Sequence, residues 1–102
     1  MFQIISYQEA KQMMDEEKDF VILDVRSEEE YESGHVPHAV LLPLDTIEED
    51  AASELPKKEQ TILVYCRSGA RSKIAARILD AMGYTNIYEF GGILEWPYEI
   101  ER

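Results

Sequence analysis

Two apolar runs of strand length constrain this chain more than anything else in it: Phe20-Val21-Ile22-Leu23-Asp24-Val25 and Thr61-Ile62-Leu63-Val64-Tyr65. A strand with one wet face alternates apolar and polar residues. A run without that alternation belongs to a strand covered on both faces, as in a parallel sheet. Helix signals sit between such runs. Ser6-Tyr7-Gln8-Glu9 and Ser27-Glu28-Glu29-Glu30 are capping boxes, the first opening a helix through about Asp15, the second a short helix ending near Gly34. Ser72 through Met82 places Ile74, Ile78, Leu79 and Met82 on one helical face, and Gly83 ends it. Ala39–Leu42 reads as a short strand between Pro37 and Pro43, Asp45–Glu48 as a helix start and Asn86–Phe90 as a fourth strand. Gly91-Gly92 reads as a turn into a last short helix through Trp96, stopped by Pro97. The alternation predicts an α/β fold with a central parallel sheet of about four or five strands and helices on both faces. At 102 residues the chain is one domain, 1–102.

Composition narrows the function classes. The net charge is −11, and sixteen of the 21 acids lie in the first 60 residues. Arg67, Arg71, Lys73 and Arg77 form a local basic island with no acid among them. An acidic chain with one such island is not expected to bind nucleic acid and suits a small anion better. No run of about 18 apolar residues is present, so no membrane span is expected, and the N-terminus lacks the pattern of a secretory signal. The single cysteine cannot form an internal disulfide, which points to a reducing, cytoplasmic setting. One Cys and two His cannot make a Cys-rich zinc site, and no metal site is expected.

The chemistry is concentrated in Tyr65-Cys66-Arg67-Ser68-Gly69-Ala70-Arg71-Ser72, between the second buried strand and a helix start. Ligands of open α/β sheets sit at the carboxyl ends of the strands, where Cys66 falls. A helix N-terminus offers free backbone N–H groups and the positive end of the dipole. Gly69 allows the loop to curl around one atom. Arg67 and Arg71 add positive charge. Each feature favours thiolate over thiol, making Cys66 the candidate nucleophile without a dedicated base. This reading needs a sulfur that is not sealed off from solvent and whose titration is not ordinary; otherwise a compact scaffold is left. The opposing reading is a packed cysteine behaving as a small hydrophobe.

Four segments in order resemble the single-domain rhodanese sulfurtransferases: Leu23-Asp24-Val25-Arg26 with Glu30-Tyr31; Gly34-His35-Val36-Pro37-His38-Ala39 with Pro43; Cys66-Arg67-Ser68-Gly69-Ala70-Arg71-Ser72; and Gly83-Tyr84 with Ile87, Gly91-Gly92 and Trp96. His38 departs from the glycine usual before that alanine, which bears on the local turn and not on the loop. The resemblance implies a rhodanese-like fold. It also implies transfer of a sulfane sulfur from a small anionic donor such as thiosulfate, through a Cys66 persulfide, to cyanide, a thiol or a protein acceptor. Arg67, Ser68, Gly69, Ala70 and Arg71 would form the substrate-binding cradle. No cofactor is implied.

Two other classes share these residues. A rhodanese-like domain can act as a binding or scaffold module, although such modules typically lack the cysteine. Cys-dependent phosphatases and arsenate reductases use a related cradle. Rhodanese-related phosphatases have five residues between Cys and Arg, against four here, and the smaller cup suits sulfur better than phosphate. Asp24 and Arg26 either orient the loop or form a structural ion pair, with the ion pair preferred. His35 is expected to bond within its turn, His38 to be exposed, and Trp96 to pack.

Overall fold

The computed structural model describes residues 1–102. Its centre is a five-stranded sheet in the order β1-β5-β4-β2-β3, with β1 Gln3–Ile4, β2 Phe20–Asp24, β3 Val40–Leu41, β4 Thr61–Cys66 and β5 Asn86–Gly92. Every pairing is parallel. Around it lie α1 Tyr7–Glu16, α2 Glu28–Ser33, α3 Ile47–Glu54 and α4 Ala70–Ala81. Both predicted capping boxes form, at Ser6 with Glu9 and at Ser27 with Glu30.

The central strand β4 has its last five residues buried, and their side chains divide by the two-residue period of a strand. Ile62, Val64 and Cys66 join Ala75, Ala76 and Leu79 of α4 and Ile47 and Ala51 of α3 in one core cluster. Leu63 and Tyr65 join Ala10 of α1, Phe90 and Trp96 in another. The two clusters are the apolar layers on either face of the sheet, which explains why β2 and β4 carry no polar alternation. No helix is long and apolar enough to cross a membrane.

The structure departs from the sequence expectations at element ends. The fifth strand, β1, has no apolar run. Both its residues are exposed and are fixed by pairing with Tyr88 and Glu89. The Ala39–Leu42 strand shrinks to two residues. The helix start at Asp45 is a 3₁₀ turn, Leu44–Thr46, that leads into α3. α4 begins at Ala70, before Ser72, because Gly69 already serves as its N-cap. Gly91 and Gly92 complete β5 instead of turning away from it, and the last helix is a 3₁₀ turn, Ile93–Glu95. His38 is exposed and holds φ at 69°, so it keeps the left-handed turn that a glycine would otherwise supply.

Candidate active site

Cys66 ends β4, and α4 starts four residues later. The loop between them folds back over the sulfur. Gly69, at φ 107°, turns its N–H onto Sγ at 3.0 Å. Ser72, in the first turn of α4, places its hydroxyl 3.4 Å from Sγ. Cys66 is 1% exposed, so its sulfur forms the floor of the loop. This corrects the expectation of a sulfur open to solvent: Arg67, Ser68 and Ala70 above it are exposed, and Cys66 itself is buried.

Burial alone would make Cys66 an inert packed thiol. Its surroundings separate it from that case. Burial works against ionisation, but the Ser72 hydroxyl and the backbone N–H groups of Ser72, Gly69 and Ser68 outweigh it and bring the pKa below the ordinary thiol value. Ser72 lies in the first turn of a twelve-residue helix capped by Gly69, and the helix dipole acts in the same direction.

The loop is pressed against β5. A Cβ on Gly92 would lie 2.0 Å from the Arg67 carbonyl oxygen and 2.5 Å from the Ser68 nitrogen, both backbone atoms. The Arg67 carbonyl also accepts the Leu94 N–H at 3.2 Å. Gly92→Ala is expected to push the loop off the strand, destabilising the fold by about 1–3 kcal/mol. It should also raise the Cys66 pKa, because the N–H groups lose their aim. Thermal unfolding and the pH dependence of Cys66 alkylation would read the two effects; an alanine variant with wild-type values in both would show that the loop tolerates the shift.

The two loop arginines stand at the margin. Arg71 donates to both carboxylate oxygens of Glu30, at 2.7 and 2.9 Å, and Arg67 is exposed. Neither donates to Sγ. The Arg71 bonds, opposed by partial burial and helped by the Ser27 cap, hold the Glu30 carboxyl at about 2. A depressed carboxyl stabilises the fold above its unfolded value of about 4.3 and loses that contribution as pH falls toward 2. Glu30→Gln should therefore lower the melting temperature near neutral pH, and the gap from wild type should close on acidification. A gap independent of pH would remove the ion pair from the explanation.

Asp24 and Arg26 form a buried pair, at 0% and 4% exposure. The guanidinium reaches Asp24 Oδ2 at 2.6 Å and the Gly34 carbonyl at 2.7 Å. Tyr65 donates its hydroxyl to Asp24 at 2.6 Å and accepts the Val36 N–H at 3.0 Å. Burial first, then Asp24, drives the Tyr65 phenol well above its usual range, so it remains a neutral donor. The network ties the ends of β2 and β4 to the 34–36 turn. His35 belongs to that turn: its Nδ1 lies 2.9 Å from the Tyr31 carbonyl, and its ring stacks on Tyr31 at 3.9 Å. Trp96 packs among Tyr7, Phe90 and Tyr98 and donates to the Glu99 carbonyl at 3.2 Å.

A cleft of about 340 Å³ opens beside the loop, lined by Arg26, Glu30, Gly34, Arg67, Ile93 and Leu94 among others. A second, of about 290 Å³, is bounded by Phe20, Ile22, Trp96 and Tyr98, and Cys66 lines neither cleft. Ser72 closes the loop expected from the sequence, which assigns it no role there, and Glu89 is not expected at the site at all. Glu89 is fully buried and accepts the Ser72 hydroxyl. An acid inside the apolar run Ile87–Phe90 was the available signal.

Comparison with known proteins agrees with this architecture. Residues 6–98 match the rhodanese-like domain. The chain is 41% identical over 71 residues to the thiosulfate sulfurtransferase PspE of Escherichia coli, an alignment covering 70% of this chain and 68% of that protein. It is 35% identical over 97 residues to the thiosulfate sulfurtransferase GlpE of Coxiella burnetii, covering 94% and 88% respectively. A rhodanese-like domain protein from Staphylococcus aureus superposes with a TM-score of 0.85 at 33% identity, over 97% of this chain and 96% of that one. The match across nearly the whole chain, on a five-stranded parallel sheet that delivers a cysteine to a helix N-terminus, places this protein in the rhodanese-like domain family.

Proposed function

We propose that this chain is a sulfurtransferase in which Cys66 takes a sulfane sulfur from a small anionic donor such as thiosulfate and carries it as a persulfide. The observation that carries this reading is the convergence of N–H groups on a sulfur whose pKa lies below the ordinary value. The thiolate attacks the outer sulfur of the donor. The thiolate's electron pair makes the new S–S bond, the donor's S–S bond breaks, and sulfite leaves with the electron pair of the broken bond. The persulfide anion holds its charge one atom farther out, within the 67–71 loop, where backbone N–H groups meet it. Arg67, beside the cleft, and Arg71, held by Glu30, supply the positive field that draws in the donor, with Ser68, Gly69 and Ala70 lining the cup. A thiol, cyanide or protein acceptor then attacks the outer sulfur and restores the thiolate. Two relatives bearing the name thiosulfate sulfurtransferase support the donor class. A single free cysteine of this kind suits a reducing cytoplasm.

Intact mass after incubation with thiosulfate tests the reading. The expected result is a gain of one sulfur atom, lost on addition of cyanide. Hydrolysis of an aryl phosphate without sulfur uptake would assign the loop to a phosphatase. Neither reaction, with the fold intact, would leave a binding module.

A further inference from the structure

Glu89 sits on β5 at 0% exposure, and sulfur transfer as written above makes no use of it. Its Oε2 accepts the Ser72 hydroxyl and, at 2.9 Å, the Gly91 N–H. Its Oε1 has no hydrogen-bond partner, and the nearest cation, Lys73 Nζ, lies 3.4 Å away. Since Ser72 Oγ is also 3.4 Å from Cys66 Sγ, one hydroxyl bridges a buried carboxyl and the reactive sulfur.

A serine hydroxyl carries a single proton. Around Ser72 Oγ stand Glu89 Oε2, Cys66 Sγ, the Gly69 carbonyl at 3.1 Å and the Gly91 carbonyl at 3.3 Å. With Cys66 as a thiol and Glu89 ionised, the row is satisfied: S–H donates to Oγ, and O–H donates to Oε2. If the sulfur simply lost its proton to water, the hydroxyl would have to abandon one of two anions. Two negative charges would then stand together, with their cations at the margin: Lys73 beside Glu89, and Arg71, whose charge acts on Cys66 but is paired with Glu30. The other elements packed on β5 offer no further charge there. Opposite Glu89 stand Ile4 of β1 and Val64 of β4, and the Tyr7 hydroxyl of α1 is committed to Gly92. Arg71 spends both of its bonds on Glu30. Backbone N–H groups answer the thiolate at Gly69 and the carboxylate at Gly91, but the one Ser72 hydroxyl proton lies between the two and can serve only one of them.

We propose that Glu89 takes the Cys66 proton through Ser72, so that the thiolate and a carboxylic acid form together. The S–H bond breaks as its proton passes to Ser72 Oγ, and the original Ser72 proton passes to Glu89 Oε2. No proton leaves the protein, and nothing is oxidised or reduced. Afterwards the Glu89 O–H donates to Ser72, and the Ser72 O–H donates to the thiolate. Glu89 is a positioning residue that acts through Ser72, and Lys73 sets the charge that the two groups share. The inference rests on the nucleophilic role of Cys66, but its test uses no sulfur donor, so it can fail while sulfur transfer stands.

Two groups sharing one proton titrate as a unit. Thiolate ultraviolet absorbance, followed from acid to alkaline pH with Cys66→Ser as the blank, should rise in two steps, with partial thiolate across neutral pH. In Glu89→Gln the steps should merge into one, with the midpoint moved by about one pH unit or more. Infrared spectra at neutral pH should show a carboxylic acid band in the wild type that is absent from both Glu89→Gln and Cys66→Ser. The comparison of wild type with Cys66→Ser decides the matter even if Glu89→Gln fails to fold. A single wild-type step unmoved by Glu89→Gln, or the lack of an acid band in the wild type, would overturn the proposal.

Discussion

Asp24→Ala is expected to destabilise the fold by about 3–5 kcal/mol, the range for stranding one member of a buried ion pair. The Arg26 guanidinium is 4% exposed and would keep only the Gly34 carbonyl as a partner. The Tyr65 hydroxyl, donated to Asp24, would lose its acceptor inside the same core. Removing the carboxylate therefore leaves a buried charge and a buried donor without their main partner. In a domain of this size each kcal/mol shifts the melting temperature by roughly 4–8 °C, so the loss should be plain in a thermal scan. The double variant Asp24→Ala/Arg26→Met should recover much of it, because the stranded charge goes too. A single variant that melts within a few degrees of wild type would mean that the pair is no stronger than a surface bridge, worth about 0–1 kcal/mol.

This pair marks the boundary of what the sequence reveals. Asp24 and Arg26 are two residues apart on a strand end, so their pairing is visible in a linear reading. The strands β2 and β4 are legible for a related reason: a face-to-face buried strand has to be apolar throughout, and composition records that directly. The cradle around Cys66 is legible because all its N–H donors lie within six residues of the sulfur. Other parts depend on register across the sheet. β1 is two exposed residues held only by β5, and no local pattern distinguishes them from coil. Glu30 meets Arg71 across 41 residues, which turns a predicted anion-binding arginine into one already held by a carboxylate. Glu89 reaches Ser72 because β5 pairs Glu89 with Val64, two residues before Cys66. The depth of Cys66 was likewise hidden. The loop sequence specifies what surrounds the sulfur, and only the packing of Gly92 against Arg67 shows how tightly the loop closes over it.

Cys66→Ser is expected to abolish sulfur uptake while leaving the fold nearly unchanged. Serine is close to cysteine in shape, and its hydroxyl can accept the Gly69 N–H that now points at Sγ. The position lies at a strand end within a well-packed cluster, and no disulfide depends on it. The melting temperature should move by only a few degrees. Chemistry should respond differently. The cradle lowers the pKa of a thiol that already ionises near neutral pH, whereas an alcohol in the same cradle remains protonated and is a poor nucleophile toward sulfur. The variant should gain no mass from thiosulfate and should not pass sulfur to cyanide. Two results would break this account. Sulfur uptake by the serine variant would move the nucleophile elsewhere, and a large loss of stability would show that the N–H groups serve to pack a buried thiol and not to hold a charged one.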